Sequence, residues 1–355
     1  MDTSPPQPDP AKTTAKSGFR MDASRNFKSW LVETRVSLAV STYQKGALFL
    51  VGIKPDGNLS LSTHRFSRCM GVYADRDKIW TASLHQLWRF ANHAGDLARG
   101  EGVDRVYRPR VAYVTGDLDI HEMAEDAEGR LIFVNTLFSC LATPSMERSF
   151  TPLWQPTFIS SLAAEDRCHL NGLAMRDGRP FIVSAVADTD VVQGWRDHRV
   201  KGGILIDVAT NEIVARGLTM PHSPRWAHGR LYVLNSGEGS FGTVDLSTGT
   251  FTEIALCPGY ARGMAIVGRY AVIGLSRARE GGSFGDLPLS TRLARHRIEP
   301  RCGLMIVDLE TGSAVDWLTF GGEVDELFDV AAIPDTRHPA IMGDPRRVAR
   351  QLVDI

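Results

Sequence analysis

The residues best equipped for chemistry lie in the run Glu165-Asp166-Arg167-Cys168-His169-Leu170-Asn171-Gly172-Leu173-Ala174, where carboxylates, a guanidinium, a thiol, an imidazole and an amide precede an apolar stretch. Two further histidines occupy a comparable place before a strand-like run, His121 in Ile120-His121-Glu122-Met123-Ala124 and His222 in Met220-Pro221-His222-Ser223-Pro224-Arg225-Trp226. Three neutral imidazoles brought to one axis, with a position left open for water or substrate, would make a catalytic site for a divalent transition metal such as Zn, Fe or Cu. A single histidine at a strand start is more often a hydrogen-bonded structural residue. Three in matched positions weigh the other way.

Asn171 falls in the same register as His121 and His222, which makes His121, His169, His222 and Asn171 the expected metal ligands. Glu122, Glu165 and Asp166 are available to accept the second N–H of a ligating imidazole, and Glu122 is also a candidate catalytic carboxylate. Arg262, in Arg262-Gly263-Met264-Ala265, is expected to hold a carboxylate or phosphate in its planar fork. Arg167 and Arg225 read better as salt-bridging residues between units. Glu326 stands two residues ahead of Phe328-Asp329-Val330, as His169 stands ahead of Asn171, and is a candidate general base or ligand.

Other reactive groups carry less. Cys168 and His169 are neighbours in an extended segment, so their side chains diverge and do not form a nucleophilic dyad. Ser236, in Leu234-Asn235-Ser236-Gly237, lacks the strand-to-helix elbow of a serine nucleophile. Gly281-Gly282-Ser283-Phe284-Gly285 has neither the lysine nor the helix of a phosphate loop.

The elements that must position these groups emerge from a repeat. A polar residue, a small or acidic residue, an apolar pair, a turn and a second apolar strand recur with starts at Met70, His121, Asn171, His222, Arg262 and Phe328, separated by 51, 50, 51, 40 and 66 residues. Third strands follow, ending in turns such as Asp245-Leu246-Ser247-Thr248-Gly249 and Asp308-Leu309-Glu310-Thr311-Gly312. Short strands punctuated by Gly, Asp and Asn predict an all-β, six-bladed β-propeller, in which the residue opening each inner strand faces the central channel.

The last unit has no outer strands after it, whereas Ser37–Ser41, Ala47–Val51 and Leu59–Ser62 are spare at the other end. Closure by mixing N- and C-terminal strands in one blade is therefore expected. The propeller is assigned to residues 36–342. A disordered tail with one short amphipathic helix, Ser24 to Thr34, precedes it, and a tail that could be helical from Pro345 to Val353 follows. The long spacing before the last unit reflects an insertion from Ser276 to His296, a candidate lid; Trp195 and Arg196 are further loop candidates for binding.

With 40 basic and 41 acidic residues the chain carries no nucleic-acid footprint or electrostatic membrane patch. No apolar run approaches the length of a spanning helix, and the N-terminal stretch has no apolar core of a secretory signal. Five widely spaced cysteines without a C-x-x-C pair fit a reduced, cytoplasmic protein.

The strings Asp166-Arg167-Cys168-His169-Leu170-Asn171-Gly172-Leu173-Ala174, Met220-Pro221-His222-Ser223-Pro224-Arg225-Trp226, Leu234-Asn235-Ser236-Gly237, Arg262-Gly263-Met264-Ala265 and Glu326-Leu327-Phe328-Asp329-Val330 together resemble an uncharacterised bacterial family of β-propellers of unknown function. The resemblance runs from about Ser37 to Pro339 and implies a fold without an activity. A looser similarity, on Asn171-Gly172-Leu173-Ala174 and the spacing, is to six-bladed lactonase and strictosidine-synthase-like propellers, which hold calcium on the axis. His121 and His222 stand where oxygen ligands would be expected, which disfavours calcium. The expectation is a metal-dependent propeller enzyme acting on a small molecule or peptide by hydrolysis, lyase chemistry or oxidation. The alternative is a non-catalytic propeller that binds a peptide, glycan or partner protein.

Overall fold

Six antiparallel sheets are arranged as blades around a channel, in a computed structural model that describes residues 19–93, 102–277 and 286–342. The inner strands are Val72–Ala74, Ile120–Glu125, Leu170–Arg176, Pro221–Ala227, Tyr260–Val267 and Val330–Pro334, which define blades 1 to 6 in that order. Each begins within two residues of a start of the sequence repeat.

Blade 6 closes the ring. Its inner strand Val330–Pro334 comes from the C-terminal side and pairs with Val36–Thr42, which continues into Ala47–Ile53 and Leu59–Arg65. Val36–Thr42 and Ala47–Ile53 are buried along their whole length, as strands covered on both faces must be, while the outer Leu59–Arg65 is partly exposed. The termini also cover two further edges. Pro339–Ile341 pairs in parallel with the outer strand of blade 1, Arg105–Val114. Arg20–Ala23 pairs with the outer strand of blade 5, Ala314–Gly321, so a segment expected to be tail is an edge-capping strand. Its composition hides this, because a single added strand needs only backbone pairing. The short helix forms at Phe27–Thr34, burying Phe27, Trp30 and Leu31 against blades 5 and 6. The C-terminal tail expected to be helical lies outside the described residues.

Within the ring the blades are fastened in pairs. The residues following the repeat starts alternate around the channel: Gly71, Glu122, Gly172, Ser223, Gly263 and Asp329. Each polar member accepts an N–H from the inner strand of the next blade: Glu122 Oε2 from Leu173 at 2.6 Å, Ser223 Oγ from Gly263 at 3.2 Å, and Asp329 Oδ2 from Val72 at 2.8 Å. The glycines make room at the other seams, between one fastened pair and the next. At Gly263, with φ of +77°, a Cβ would lie 2.6 Å from Asp329 Cα of the following blade, so only glycine fits.

The same blade pairs share a second fastening. Thr136 Oγ1 donates to the Leu170 carbonyl at 2.6 Å, Ser236 Oγ to Ala261 at 2.6 Å, and Ser41 Oγ to Met70. Ser236 is thus a buried blade-to-blade donor at the start of a 3-10 turn, not a nucleophile. The cysteines are all free and buried, and burial pushes the Cys168 thiol up to about 12, far from the thiolate that nucleophilic attack requires.

Candidate functional site

Three rings of side chains descend the channel, set by the repeat. Uppermost are Arg68, Asp119, His169, Met220, Tyr260 and Glu326, each two residues before a repeat start; below them stand Met70, His121, Asn171, His222, Arg262 and Phe328. In four successive blades the upper residue has a left-handed backbone: Arg68 (φ 60°), Asp119 (53°), His169 (52°) and Met220 (50°). Such conformations are uncommon for these side chains and cost of order 1 kcal/mol. Their recurrence in one register has a visible use. The kink turns the carbonyl of Asp119 toward His121 Nδ1 at 3.0 Å and that of Met220 toward His222 Nδ1 at 2.9 Å.

A carbonyl only accepts, so both imidazoles carry their proton on Nδ1. Thr136 supports the assignment in blade 2: its hydroxyl hydrogen goes to Leu170, leaving its oxygen to accept from His121 Nδ1 at 2.8 Å. His169 reaches the same tautomer differently, through Nδ1 contacts of 3.1 Å to both Asp166 oxygens. Asp166 also accepts from Trp195 Nε1 at 2.8 Å, and Trp195 stacks on the His169 ring at 4.1 Å. One carboxylate therefore locks imidazole and indole as a unit.

A cavity of about 350 Å³ opens above the second ring. Its floor is His121, Arg262 and Phe328, and its walls include Asp119, His169, Met220 and Glu326 with the loop residues Trp195, Arg196 and Arg199. His121 and His169 meet edge to face with centroids 4.9 Å apart. Neither has a hydrogen bond to Nε2 among the described residues. Burial lowers His121 to about 4, against the smaller opposing pull of Asp119, so this ring is neutral across the physiological range. Arg262 lies with its guanidinium 4.7 Å from the Phe328 centroid and 3.5 Å from Glu326 Oε1, and its buried Nε has no hydrogen-bond partner among the described residues.

The expected ligands are thus divided. His121 and His169 share the cavity with Arg262 and Glu326. His222 is fully buried and does not line it; its Nε2 faces the Asn171 amide nitrogen at 3.4 Å, while Asn171 Oδ1 accepts from Ser184 Oγ at 2.7 Å. Burial, with the Arg262 charge adding to it, drives His222 well below the usual imidazole range. Among the described residues no group of three or more His, Cys, Asp or Glu side chains is arranged to hold a metal ion. His121 and His169 alone are fewer than the three protein ligands usual in an open catalytic site, and His222, the third imidazole expected with them, lies outside the cavity lining.

Glu122 lies below the cavity, 3 % exposed in its side chain, ion-paired with Arg225. Arg225 also donates to the Met264 carbonyl at 2.8 Å, which ties blade 2 across blade 4 to blade 5. The fixed acceptor role of Glu122 removes it from the working groups. Asp329 shares this interior, where burial and then the Glu122 charge push it up to about 8; one guanidinium between two buried carboxylates leaves a proton on Asp329 at neutral pH. Arg167 pairs with Glu165 and Asp190 and bonds Ser160 and Ser161, a loop brace with no place in the cavity lining.

Sequence reasoning weighed Trp195 and Arg196 without connecting them to His169, and missed Asp119, Tyr43 and Arg199. The insertion from Ser276 to His296 contributes the helix Pro288–His296, whose Leu289 and Leu293 pack with Trp195, Met220 and Tyr260 behind the cavity wall. It buttresses the mouth; residues 278–285 of the expected lid lie outside the described residues. No described helix is long and apolar enough to cross a membrane.

The fold and the cavity define a six-bladed β-propeller with a polar, histidine-bearing site at one mouth of its channel. A family profile for a domain of unknown function, DUF4915, matches residues 25–342, and the chain belongs to that family. No curated protein matches the sequence. Among solved structures, a chain of the nidogen/laminin complex superposes with a TM-score of 0.54 at 12 % identity, covering 85 % of this chain and 99 % of that one. Virginiamycin B lyase from Staphylococcus aureus (TM-score 0.41, 11 % identity, 72 % and 96 % covered) and a protein of unknown function from Bacteroides caccae (0.39, 10 %, 84 % and 98 %) are more distant. The likeness at these identities is one of fold.

Proposed function

We propose that the mouth cavity is the active site of an enzyme that moves a proton on a small molecule, with His121 and His169 as general bases and Arg262 as the anchor for an anionic group. The observation that carries this reading is the shared tautomer of the two imidazoles. Each commits its Nδ1 proton to a fixed oxygen, which leaves Nε2 as an acceptor in the same enclosed space. A neutral base with its orientation fixed, beside a cation able to stabilise developing negative charge, suits proton abstraction next to a carbonyl or carboxylate, or the elimination that follows from it. Glu326 keeps Arg262 in place and is a positioning residue. Hydrolysis finds less support in the geometry, because among the described residues of the cavity lining no serine or cysteine is present as a nucleophile.

The reading can be tested before a natural substrate is known. A panel of small carboxylic acids incubated with the protein in D2O is followed by proton NMR for loss of the hydrogens next to the carboxylate. Exchange of at least one acid is expected, slowed by about 10²- to 10⁴-fold in His121→Ala. If no acid exchanges, or if exchange survives both His121→Ala and His169→Ala, the catalytic reading fails. The channel mouth would then be a binding surface of a non-catalytic propeller.

A further inference from the structure

We infer that the ligand of this cavity is a monocarboxylate bearing an aromatic ring, with its carboxylate on the Arg262 guanidinium and its ring along the His169–Trp195 wall. This rests on the reading of the cavity as a small-molecule site and names the class of molecule it takes. Three features converge on it.

The first is the fork of Arg262. Its nearest carboxylate oxygen among the recorded contacts, Glu326 Oε1, is 3.5 Å away, a charge contact longer than a hydrogen bond. The guanidinium lies over Phe328, and Tyr43 stacks on that ring at 5.9 Å. Arg262 also shares a side-chain hydrogen bond with Tyr260, while its buried Nε has no hydrogen-bond partner among the described residues; a guanidinium held in this way at the floor of a cavity presents a donor edge to an anion.

The second is the charge balance of the lining. Arg196, Arg199 and Arg262 are offset by Asp119, Asp166 and Glu326, so the formal charges cancel. Asp166 is spent on His169 and Trp195, but its charge remains in the wall. Such a lining accommodates one negative charge at the Arg262 fork and opposes two, which favours a carboxylate over a phosphate monoester.

The third is the pair of aromatic walls. Blades 3 and 6 face each other across a six-membered ring, so the His169–Trp195 stack stands opposite Phe328 and Tyr43. Trp195 lies between His169, stacked on it at 4.1 Å, and Arg196, over it at 4.5 Å, so the indole backs the His169 ring and it is that ring which faces a ligand. Flat walls select a flat ring through stacking area.

The test uses the full chain and phenylacetate as probe, with methyl phenylacetate, phenyl phosphate and acetate for comparison, each titrated by saturation-transfer NMR. Phenylacetate is expected to bind, and the ester, the phosphate and acetate to bind about tenfold more weakly or less. Arg262→Lys, which keeps the charge and loses the fork, and Trp195→Ala should each weaken phenylacetate by about tenfold, with circular dichroism confirming that both fold. Equal or tighter binding of the ester or phosphate, unchanged affinity in Arg262→Lys, or no binding of phenylacetate overturns the inference. The same samples in D2O report exchange at the probe's methylene. Binding without exchange leaves the ligand class standing while the proton-transfer reading fails for this probe.

Discussion

Two sets of polar residues occupy the same channel a few ångströms apart, and they are built on different rules. In the lower ring, Glu122, Ser223 and Asp329 spend their acceptors on N–H groups of the next blade, and Arg225 spends its donors on Glu122 and backbone carbonyls. In the cavity above, His121 and His169 use only Nδ1 for support, and Arg262 meets its carboxylate at 3.5 Å. The lower groups are saturated and hold the ring together; the upper ones are oriented by one contact and keep another atom in reserve. Burial and polarity alone do not separate the two, since Glu122 and His121 are adjacent and both are buried. The count of unspent donors and acceptors does.

Removing the guanidinium from the lower set should break the fold most. Arg225→Met leaves Glu122 buried without its cation, and a loss of about 3 kcal/mol in chemical denaturation is expected, reduced from the value for a fully buried pair because the Arg225 side chain is 23 % exposed. A loss below about 1 kcal/mol would mean that the network does not fasten the blades.

The upper set should instead show itself in the pH dependence. An imidazole whose folded value is lowered to about 4, against about 6.5 in the unfolded chain, binds fewer protons folded than unfolded between those values. Stability from this group is therefore complete above about pH 6.5 and falls as the pH drops toward 4, by about 2 kcal/mol between pH 7 and pH 5. His121→Gln should remove that part of the acid slope in denaturation curves measured at the two pH values. Asp329 runs the other way: its raised value makes stability fall as the pH rises from about 4 to about 8, and Asp329→Asn should remove that part of the slope. The smallest effect expected is that of a chelator. EDTA added to protein purified without a histidine tag should leave the melting temperature unchanged, and a clear fall would restore a metal to the His121 and His169 pair.

Much of this was legible before any coordinates. The repeat gave every inner strand and the mixed closing blade, because the polar residue, small residue and apolar pair at each start reflect one geometric demand imposed six times. The same register put His121, His169, Arg262 and Glu326 at the mouth. What it could not do was distinguish His222 from His121. Both open an inner strand and both receive a carbonyl on Nδ1, but His222 has an asparagine from the preceding blade across its Nε2, a contact between residues 51 positions apart. The ion pair of Glu122 was hidden for a similar reason, since its partner Arg225 arrives from a blade two removed. The Asp166 clamp on Trp195 depends on how the loop after blade 3's second strand folds back, which no periodicity encodes. Left-handed backbone at Asp119 and Met220 likewise leaves no mark on residue type, least of all at a methionine.

The central claim is that the cavity imidazoles hold an available Nε2, and long-range proton–nitrogen correlation NMR on ¹⁵N-histidine-labelled protein reads it without a substrate. His121 and His169, assigned by single replacement, are each expected to show a protonated Nδ1, and His121 an unprotonated Nε2 from pH 7 down to about pH 5. A bare Nδ1 on either ring, a proton on His121 Nε2, or titration of His121 near 6.5 would contradict the account.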